Sequence, residues 1–368
     1  MTTPQDVPFV NLGLMKDQIA DEVEAGFRRV IDTTAFIGGP DVAEFERAYA
    51  AYSESRHCVG VANGTDAVEL ALRACGVGPG DEVVIPANTF VATAGAVVSA
   101  GARVVLADVD EHYLIDPSSV RERMTGDTAA IVPVHLYGQM AAVEELTELA
   151  PSGVALIEDA AQSQGARRHG RRSGSLGLAA GTSFYPGKNL GAYGDAGAVT
   201  TSSDDVAMRL RELGNHGGVR KYEHLVVGTN SRLDTLQAVV LNAKLARLDA
   251  WNDQRRQAAT RYATLLGDLP GVRLPAVLPG NEPVWHLYVI EVEDRDKLKI
   301  AFDEAGVGVG VHYPTPIHLL PAFSFLGHGP GDFPVAEAQS RRILSLPMFP
   351  GLTTDQQERV AEVLVQFS

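Results

Sequence analysis

A single lysine stands in the stretch GTSFYPGKNLGAYGDAGAVTT, residues 181–201. Lys188 follows Pro186 and Gly187 and precedes Gly191, Gly194 and Gly197, so the backbone beside it can approach another group closely. An amine confined in such a place loses part of its charge and can add to an aldehyde as a Schiff base. Taken alone, a lysine so placed is far more often a solvated loop lysine, and it is the company of Lys188 that shifts the reading. Upstream, the apolar run VALIE ends in Asp159, followed by Ala160, Ala161 and Gln162. A carboxylate at the carboxyl end of a parallel strand stands at the edge where open α/β sheets bind ligands. There it can keep a pyridine nitrogen protonated, as acids do in pyridoxal-phosphate (PLP) enzymes. Its structural alternative is the N-cap of the next helix.

Two weaker features join these. In VANGTDAVELAL a strand runs through Asn63, Gly64 and Thr65 into an amphipathic helix, whose free N–H groups make a phosphate seat. Ordinary capping by Asn63 or Thr65 explains the same residues. Phe90, read as the end of the strand VVIPANTF, offers a flat face for a cofactor ring, while core packing is the commoner fate of a phenylalanine.

The elements that must position these side chains are legible as a rhythm. From Cys58, the runs CVGVAN, DEVVIPANTF, ARVVLADVD, AAIVPVHLYG and VALIEDAAQ alternate with helix-period stretches such as DAVELALRAC and ATAGAVVSAG. Strands apolar nearly throughout belong to a parallel sheet covered on both faces. The fold class is therefore α/β, a mostly parallel wound sheet in a large domain. Between Ser231 and Leu266, apolar residues at spacings of three and four predict one long linking helix. After the Pro/Gly-rich LPGVRLPAVLPGNEPV, the strand WHLYVIEV and the helix RDKLKIAFDEAG mark a smaller C-terminal α/β domain. The expected division is 1–245, with an N-terminal arm, and 246–368. The last helix is read as opening on Thr354 and Gln357 in a capping-box spacing.

Composition narrows the function. The chain has 368 residues, 45% hydrophobic and 21% charged, which suits a globular protein with a sizeable core. A net charge of −15 repels polyanions, so nucleic acid is not an expected partner. Neither a leader pattern in MTTPQDVPF nor a membrane-length apolar run is visible, so a cytoplasmic, unanchored protein is expected. The two cysteines, Cys58 and Cys75, lie in no metal-binding spacing, and no metal is expected.

Together the motifs carry a resemblance. VANGTDAVELAL, GDEVVIPANTFVATAGAV, PVHLYGQ, IEDAAQSQGA, SFYPGKNLGAYGDAGAV, GTNSRLDTLQAVVL, WHLYV and HYPTPIHL, spread over nearly the whole chain, resemble the sugar aminotransferases of the DegT/DnrJ/EryC1/StrS family, which are fold type I PLP enzymes. The resemblance implies that Lys188 carries the cofactor as a Schiff base, Asp159 meets the pyridine nitrogen, Gln162 bonds the ring oxygen and Phe90 stacks on the ring. Gly64, Thr65 and Ser183 would hold the phosphate. Asn230, in GTNSRLD, would reach it from the other subunit of a homodimer with shared active sites, unless it merely caps the following helix.

It also implies a ping-pong transfer between an amino-acid donor, glutamate in the expected case, and a nucleotide sugar. The cofactor would cycle through pyridoxamine 5′-phosphate, with released Lys188 as the proton carrier. FYPGKNLG, GTNSRLD and PVWHLY look most like the branch that aminates C3 of a dTDP-linked 3-keto-6-deoxyhexose, in deoxysugar and antibiotic biosynthesis. A C4 aminotransferase is the alternative. Tyr222, Tyr313 and His318 are candidates for the sugar pocket, each with a packing role as its alternative. Arg220 with Lys221 could serve the nucleotide's charge or simply be solvated. The dehydratase branch of the family has histidine at the lysine position, so Lys188 points to transfer. Retention of Lys188, Asp159, Gln162 and Ser183 weighs against a non-catalytic regulator on the same fold. GVGVG at 306–310 lies too far along the chain, and without the helix, for a nicotinamide-binding turn.

Overall fold

The computed structural model describes residues 6–220, 222–267 and 269–367. Seven short apolar segments form one sheet: β1 (His57–Val61), β2 (Glu82–Pro86), β3 (Arg103–Ala107), β4 (Thr128–Ile131), β5 (Ala155–Asp159), β6 (Ala179–Ser183) and β7 (Gly197–Thr201). Their spatial order is β1-β7-β6-β5-β4-β2-β3. Every pairing is parallel except those of β7, which runs antiparallel to both β1 and β6. Val83, Val84, Ile85, Ala130, Ile131 and Ile157 are buried whichever face they take, because helices cover both sides. Hence the carboxyl ends of β1, β2, β5 and β6 open on one edge.

The helix Gly64–Ala74, which follows β1, lies against β6 and β7 at very short range. A Cβ on Gly181 would stand 2.9 Å from the Val68 backbone nitrogen, so only glycine lets the helix sit that close to the strand. Ala67, Val68, Leu70, Ala71, Leu72 and Ala74 are all buried there.

In the last third of the chain, Tyr288–Val292 pairs antiparallel with Val272–Arg273 on one side and Ile343–Leu346 on the other. Their separate core contains Tyr262, Leu266, Leu298, Phe302, Val360 and Leu364. Val7 belongs to that core as well. It exchanges backbone hydrogen bonds with Gly306 and Gly308, so the arm at Val7 docks on the C-terminal part of the chain.

Three expectations need correction. The stretch from Ser231 to Leu266 is two helices, Thr235–Leu245 and Leu248–Leu266, broken at Ala246–Arg247. The first packs against Ala20–Thr33 and Pro40–Tyr52, the second against Thr354–Phe367. Different partners turn one apolar rhythm into two stripes, and no proline or glycine marks the break. The capping box at the last helix is Thr353 with Gln356, one residue earlier than expected: each side chain bonds the other's backbone N–H at 3.1–3.2 Å. Gln357 instead points inward, donating to Ala258 O and accepting from Arg261. Phe90 lies beyond β2, at the N-cap of the helix Val91–Ser99.

Candidate active site

The carboxyl edge of the sheet floors a cleft of about 600 Å³. β1 delivers Asn63, Gly64 and Thr65; the segment after β2 delivers Thr89, Phe90 and Thr93; β5 delivers Asp159 and Gln162; and β6 leads through Ser183 to Lys188. Phe9, His286, His312 and Tyr313 close it from the C-terminal side and the arm. The cleft thus gathers Lys188, Asp159, Gln162, Phe90, Gly64, Thr65, Ser183 and Tyr313.

Asp159 is held on two sides. Thr93 Oγ1 donates to Oδ2 at 2.7 Å, and the Ala161 N–H donates to Oδ1 at 3.1 Å. Thr93 is itself 2.8 Å from Thr89 Oγ1. The neighbouring Glu158 points to the other face of the strand, fully buried. It accepts from the N–H groups of Gly174, Leu176 and Gly177 and lies 2.8 Å from His135 Nε2. Burial pushes its carboxyl up, but the His135 contact and the Gly177 and Gly174 hydrogen bonds outweigh this and hold it below the ordinary range. One strand end therefore carries a structural acid on one face and an acid open to the cleft on the other.

Lys188 is half-buried, and its side chain has no hydrogen-bond partner among the described residues. Burial draws its amine down to about 8, against a smaller upward pull from the Asp159 charge. Gln162 is fixed by the Tyr137 N–H, which donates to Oε1 at 2.7 Å, and by its own Nε2, which donates to Tyr313 Oη at 3.1 Å. Burial and the Asp159 charge push the Tyr313 phenol above its usual value. The Phe90 ring, half exposed, stands 5.1 Å from the Tyr313 ring.

At the opposite end, Asn63 Oδ1 accepts from Asp66 N at 2.9 Å and caps the helix Gly64–Ala74, whose first N–H groups face the cleft. A Cβ on Gly64 would lie 2.4 Å from Ser183 Cβ, so any larger residue would fill the cradle between helix and strand. The donor set and this cradle fit a phosphate group.

The cleft does not include every expected residue. His318 is buried elsewhere: Ile317 is anchored in the large core with its N–H donated to Ala87 O, which turns His318 toward Glu337 Oε1 at 3.1 Å and the Phe333 ring at 4.7 Å. It is a packed, paired histidine rather than a pocket residue. Tyr222 is 83% exposed at a hairpin turn and lies outside its own chain's cleft. Asn230 also lies outside that cleft, accepting from Arg232 at 2.6 Å. Arg220 is exposed, and Lys221 falls outside the described residues. Conversely, Thr93, Tyr185, His286 and His312 line the cleft without having been singled out. His286 and His312 sat inside the quoted segments WHLYV and HYPTPIHL, and Tyr185 inside SFYPGK.

A wound, mostly parallel sheet with a lysine, an aspartate and a phosphate cradle at its carboxyl edge defines a fold type I transferase. The chain belongs to the DegT/DnrJ/EryC1/StrS aminotransferase family, whose sequence description matches residues 17–365. A dTDP-3-amino-3,4,6-trideoxy-alpha-D-glucose transaminase of Streptomyces venezuelae is 44% identical over all of this chain and 97% of its own. A UDP-N-acetyl-3-dehydro-alpha-D-glucosamine 3-aminotransferase of Acidithiobacillus ferrooxidans is 42% identical over 99% of this chain and 98% of its own. The crystal structure of S. venezuelae DesV, in complex with a ketimine intermediate, superposes with a TM-score of 0.96 at 44% identity, covering 99% of each chain. Among the described residues no helix is long and apolar enough to cross a membrane.

Proposed function

We propose that this protein uses PLP to move an amino group from an amino acid, glutamate, to C3 of a nucleotide-linked 3-keto-6-deoxyhexose. The observation that carries this reading is the half-buried, unpaired amine of Lys188, drawn down to about 8, in one cleft with Asp159. The residues present fit the cofactor. Lys188 suits its aldehyde, Asp159 its ring nitrogen, Gln162 its ring oxygen and Phe90 its face, while Gly64, Thr65 and Ser183 suit its phosphate. Bound there, PLP supplies an electron sink for the bonds at the amino carbon.

The chain's own groups do the rest. Thr93 and the Ala161 N–H fix the Asp159 carboxylate, which would face the ring nitrogen. Tyr137 and Tyr313 fix Gln162. Lys188 would hold the cofactor's aldehyde and, once its amine is free, would serve as the base and acid that carries the proton of the donor's α-carbon. With the keto sugar in place the transfers run in reverse, so ping-pong kinetics follow. Tyr313, in the cleft beside Gln162, is the candidate for contact with the sugar. The two relatives support C3, both being named for amination there. They divide between dTDP and UDP, so a dTDP sugar is the first substrate to offer and a UDP sugar the second. A cytoplasmic location goes with this reading.

The working unit in this reading is a homodimer, with Asn230 of each copy serving the other's cleft. Lys188 is the single Lys or Arg lining the cleft among the described residues, which leaves a phosphate dianion short of partners. The exposed Leu225, Val226 and Val227, at 70%, 48% and 86%, form an apolar edge that a second copy would cover.

The experiment is an absorption spectrum of the PLP-treated protein, recorded before and after adding glutamate and then a dTDP-keto-6-deoxyhexose. Loss of the visible band with glutamate and its return with a 3-keto but not a 4-keto sugar establishes the reading. Return only with the 4-keto sugar establishes C4 transfer instead, and absence of any band removes the enzyme reading. For the dimer, mixing inactive Lys188→Ala and Asn230→Ala chains should restore part of the activity; no restoration counts against shared sites.

A further inference from the structure

Thr89 and Thr93 line the cleft at the start of the helix Val91–Ser99, with Phe90 between them in sequence. Both are almost wholly buried, at 2% and 1% exposure. Their hydroxyl oxygens lie 2.8 Å apart, and Thr93 Oγ1 lies 2.7 Å from Asp159 Oδ2. The same turn is closed through the backbone, where the Thr93 N–H donates to Phe90 O at 3.1 Å. Three side chains thus form an unbroken line of contact from Thr89 to the acid at the end of β5.

The line has one consistent direction. An ionised carboxylate only accepts, so the Thr93 hydroxyl hydrogen lies toward Asp159 Oδ2. Thr93 Oγ1 has no second hydrogen and is therefore the acceptor of its other contact, so the hydrogen between the threonines belongs to Thr89. The reverse arrangement starts from a proton on Asp159 and runs through Thr93 to Thr89. It would leave the Thr89 hydrogen without an acceptor among the described residues. A buried hydroxyl left without a partner costs free energy, so the relay favours the ionised acid. The Ala161 N–H meets the other oxygen at 3.1 Å, and each oxygen of Asp159 faces a donor.

We infer that Thr89 is a positioning residue for Asp159, acting through Thr93: its hydrogen bond sets the direction of the Thr93 hydroxyl and so keeps the carboxylate ionised for the cofactor's ring nitrogen. The inference rests on the proposed role of Asp159 at that nitrogen. Because the two threonines bracket Phe90, the same bond also registers the group proposed for the ring's face with the group proposed for its edge.

The test compares Thr89→Val, which replaces the hydroxyl with a methyl of similar size, with Thr89→Ser, which keeps it, each alone and combined with Thr93→Val. Thr93→Val should lower kcat about 10- to 100-fold, because it removes a hydrogen bond to a charged group, and Thr89→Val about 3- to 10-fold, because it removes one between neutral groups. Neither should much change the KM for glutamate, and Thr89→Ser should turn over like the parent. With Thr93→Val already present, Thr89→Val should add nothing, since its route to Asp159 is gone. A readout apart from turnover is the 15N signal of PLP labelled at its ring nitrogen. The parent protein should hold that nitrogen protonated, Thr89→Val should move the signal toward the unprotonated position, and Thr89→Ser should leave it in place. An unmoved signal in Thr89→Val, an equal loss with and without the Thr93 hydroxyl, a loss confined to KM, or failure of Thr89→Ser to restore turnover would overturn the inference. If Asp159→Asn moves the signal and Thr89→Val does not, this inference alone falls. If the nitrogen is unprotonated in the parent, or Asp159→Asn leaves its signal in place, the proposed role of Asp159 falls with it.

Discussion

Two lysines, one buried and one half-buried, attend one stretch of chain. Lys188 lies near its start, and Lys244 reaches it from the helix Thr235–Leu245, donating to the carbonyl of Gly191 at 2.6 Å with its charge 5.1 Å from the Tyr193 ring centre. Burial draws both amines down to about 8. What differs is what the nitrogen has left to do. Lys244 already serves a backbone carbonyl under an aromatic ring, whereas Lys188 faces a cleft that holds an acid and a phosphate cradle. A depressed pKa is thus a consequence of desolvation common to both, and reactivity follows from where the amine faces.

The comparison breaks most readily by substitution. Lys188→Ala should abolish the visible cofactor band and lower transfer by at least about 1,000-fold, while Lys244→Met should keep the band and most of the turnover. Loss of the band in the Met variant would show that the two amines are not so separable. The two acids at the end of β5 extend the contrast. Asp159→Asn should cost about 100-fold or more in kcat with the fold intact. Glu158→Gln should act mainly on stability, removing about 3 kcal/mol by thermal unfolding, because His135 and three N–H groups lose a charged partner.

A pH series sharpens the point. Capture of PLP by cofactor-free protein needs the neutral amine, so its rate should climb as pH rises through about 8 rather than near the 10.5 of an ordinary lysine. An acylating reagent at pH 8 should mark Lys188 and spare Lys244. The smallest effect is on Lys244 itself: Lys244→Met leaves Gly191 O unsatisfied, at a cost of about 1–3 kcal/mol. Because the pKa of Lys244 falls on folding, its contribution is complete above 10.5 and is lost as pH falls through about 8. The gap between parent and variant should therefore widen from pH 7 to pH 10, as read by denaturant titration.

Much of this cleft is legible in the sequence because its floor is local. Asp159 and Gln162 follow one apolar run, Gly64 and Thr65 follow another, and Lys188 sits in a glycine-rich stretch that gains meaning from their company. Pattern reading loses what depends on distant packing. Thr93 meets Asp159 across 66 residues, and nothing in ATAGAVVSAG marks a hydroxyl that steadies a carboxylate. His318 looks like a neighbour of Tyr313 in sequence, but Ile317 is claimed by the large core and turns it away. The break at Ala246–Arg247 follows from which helices each half meets, and apolar spacing runs through it without a pause. The capping box slipped by one because both Thr353–Gln356 and Thr354–Gln357 have the required spacing, and only the burial of Gln357 decides between them.

The antiparallel strand β7 bears on how the molecule assembles. It lies between β1 and β6, pairing His57 with Thr201 and Ser183 with Gly197. In the sheet β7 is what joins β1 to β6, so the ladder between the strand before Gly64 and the strand that ends in Ser183 closes only once the chain as far as Thr201 has been made. Such a long-range closure is slow by nature. In refolding, the βαβ layers from β2 to β5 should gain protection from hydrogen exchange first, and the phosphate cradle last, so the ability to hold a cofactor should appear as a late event that reports completion of the whole sheet.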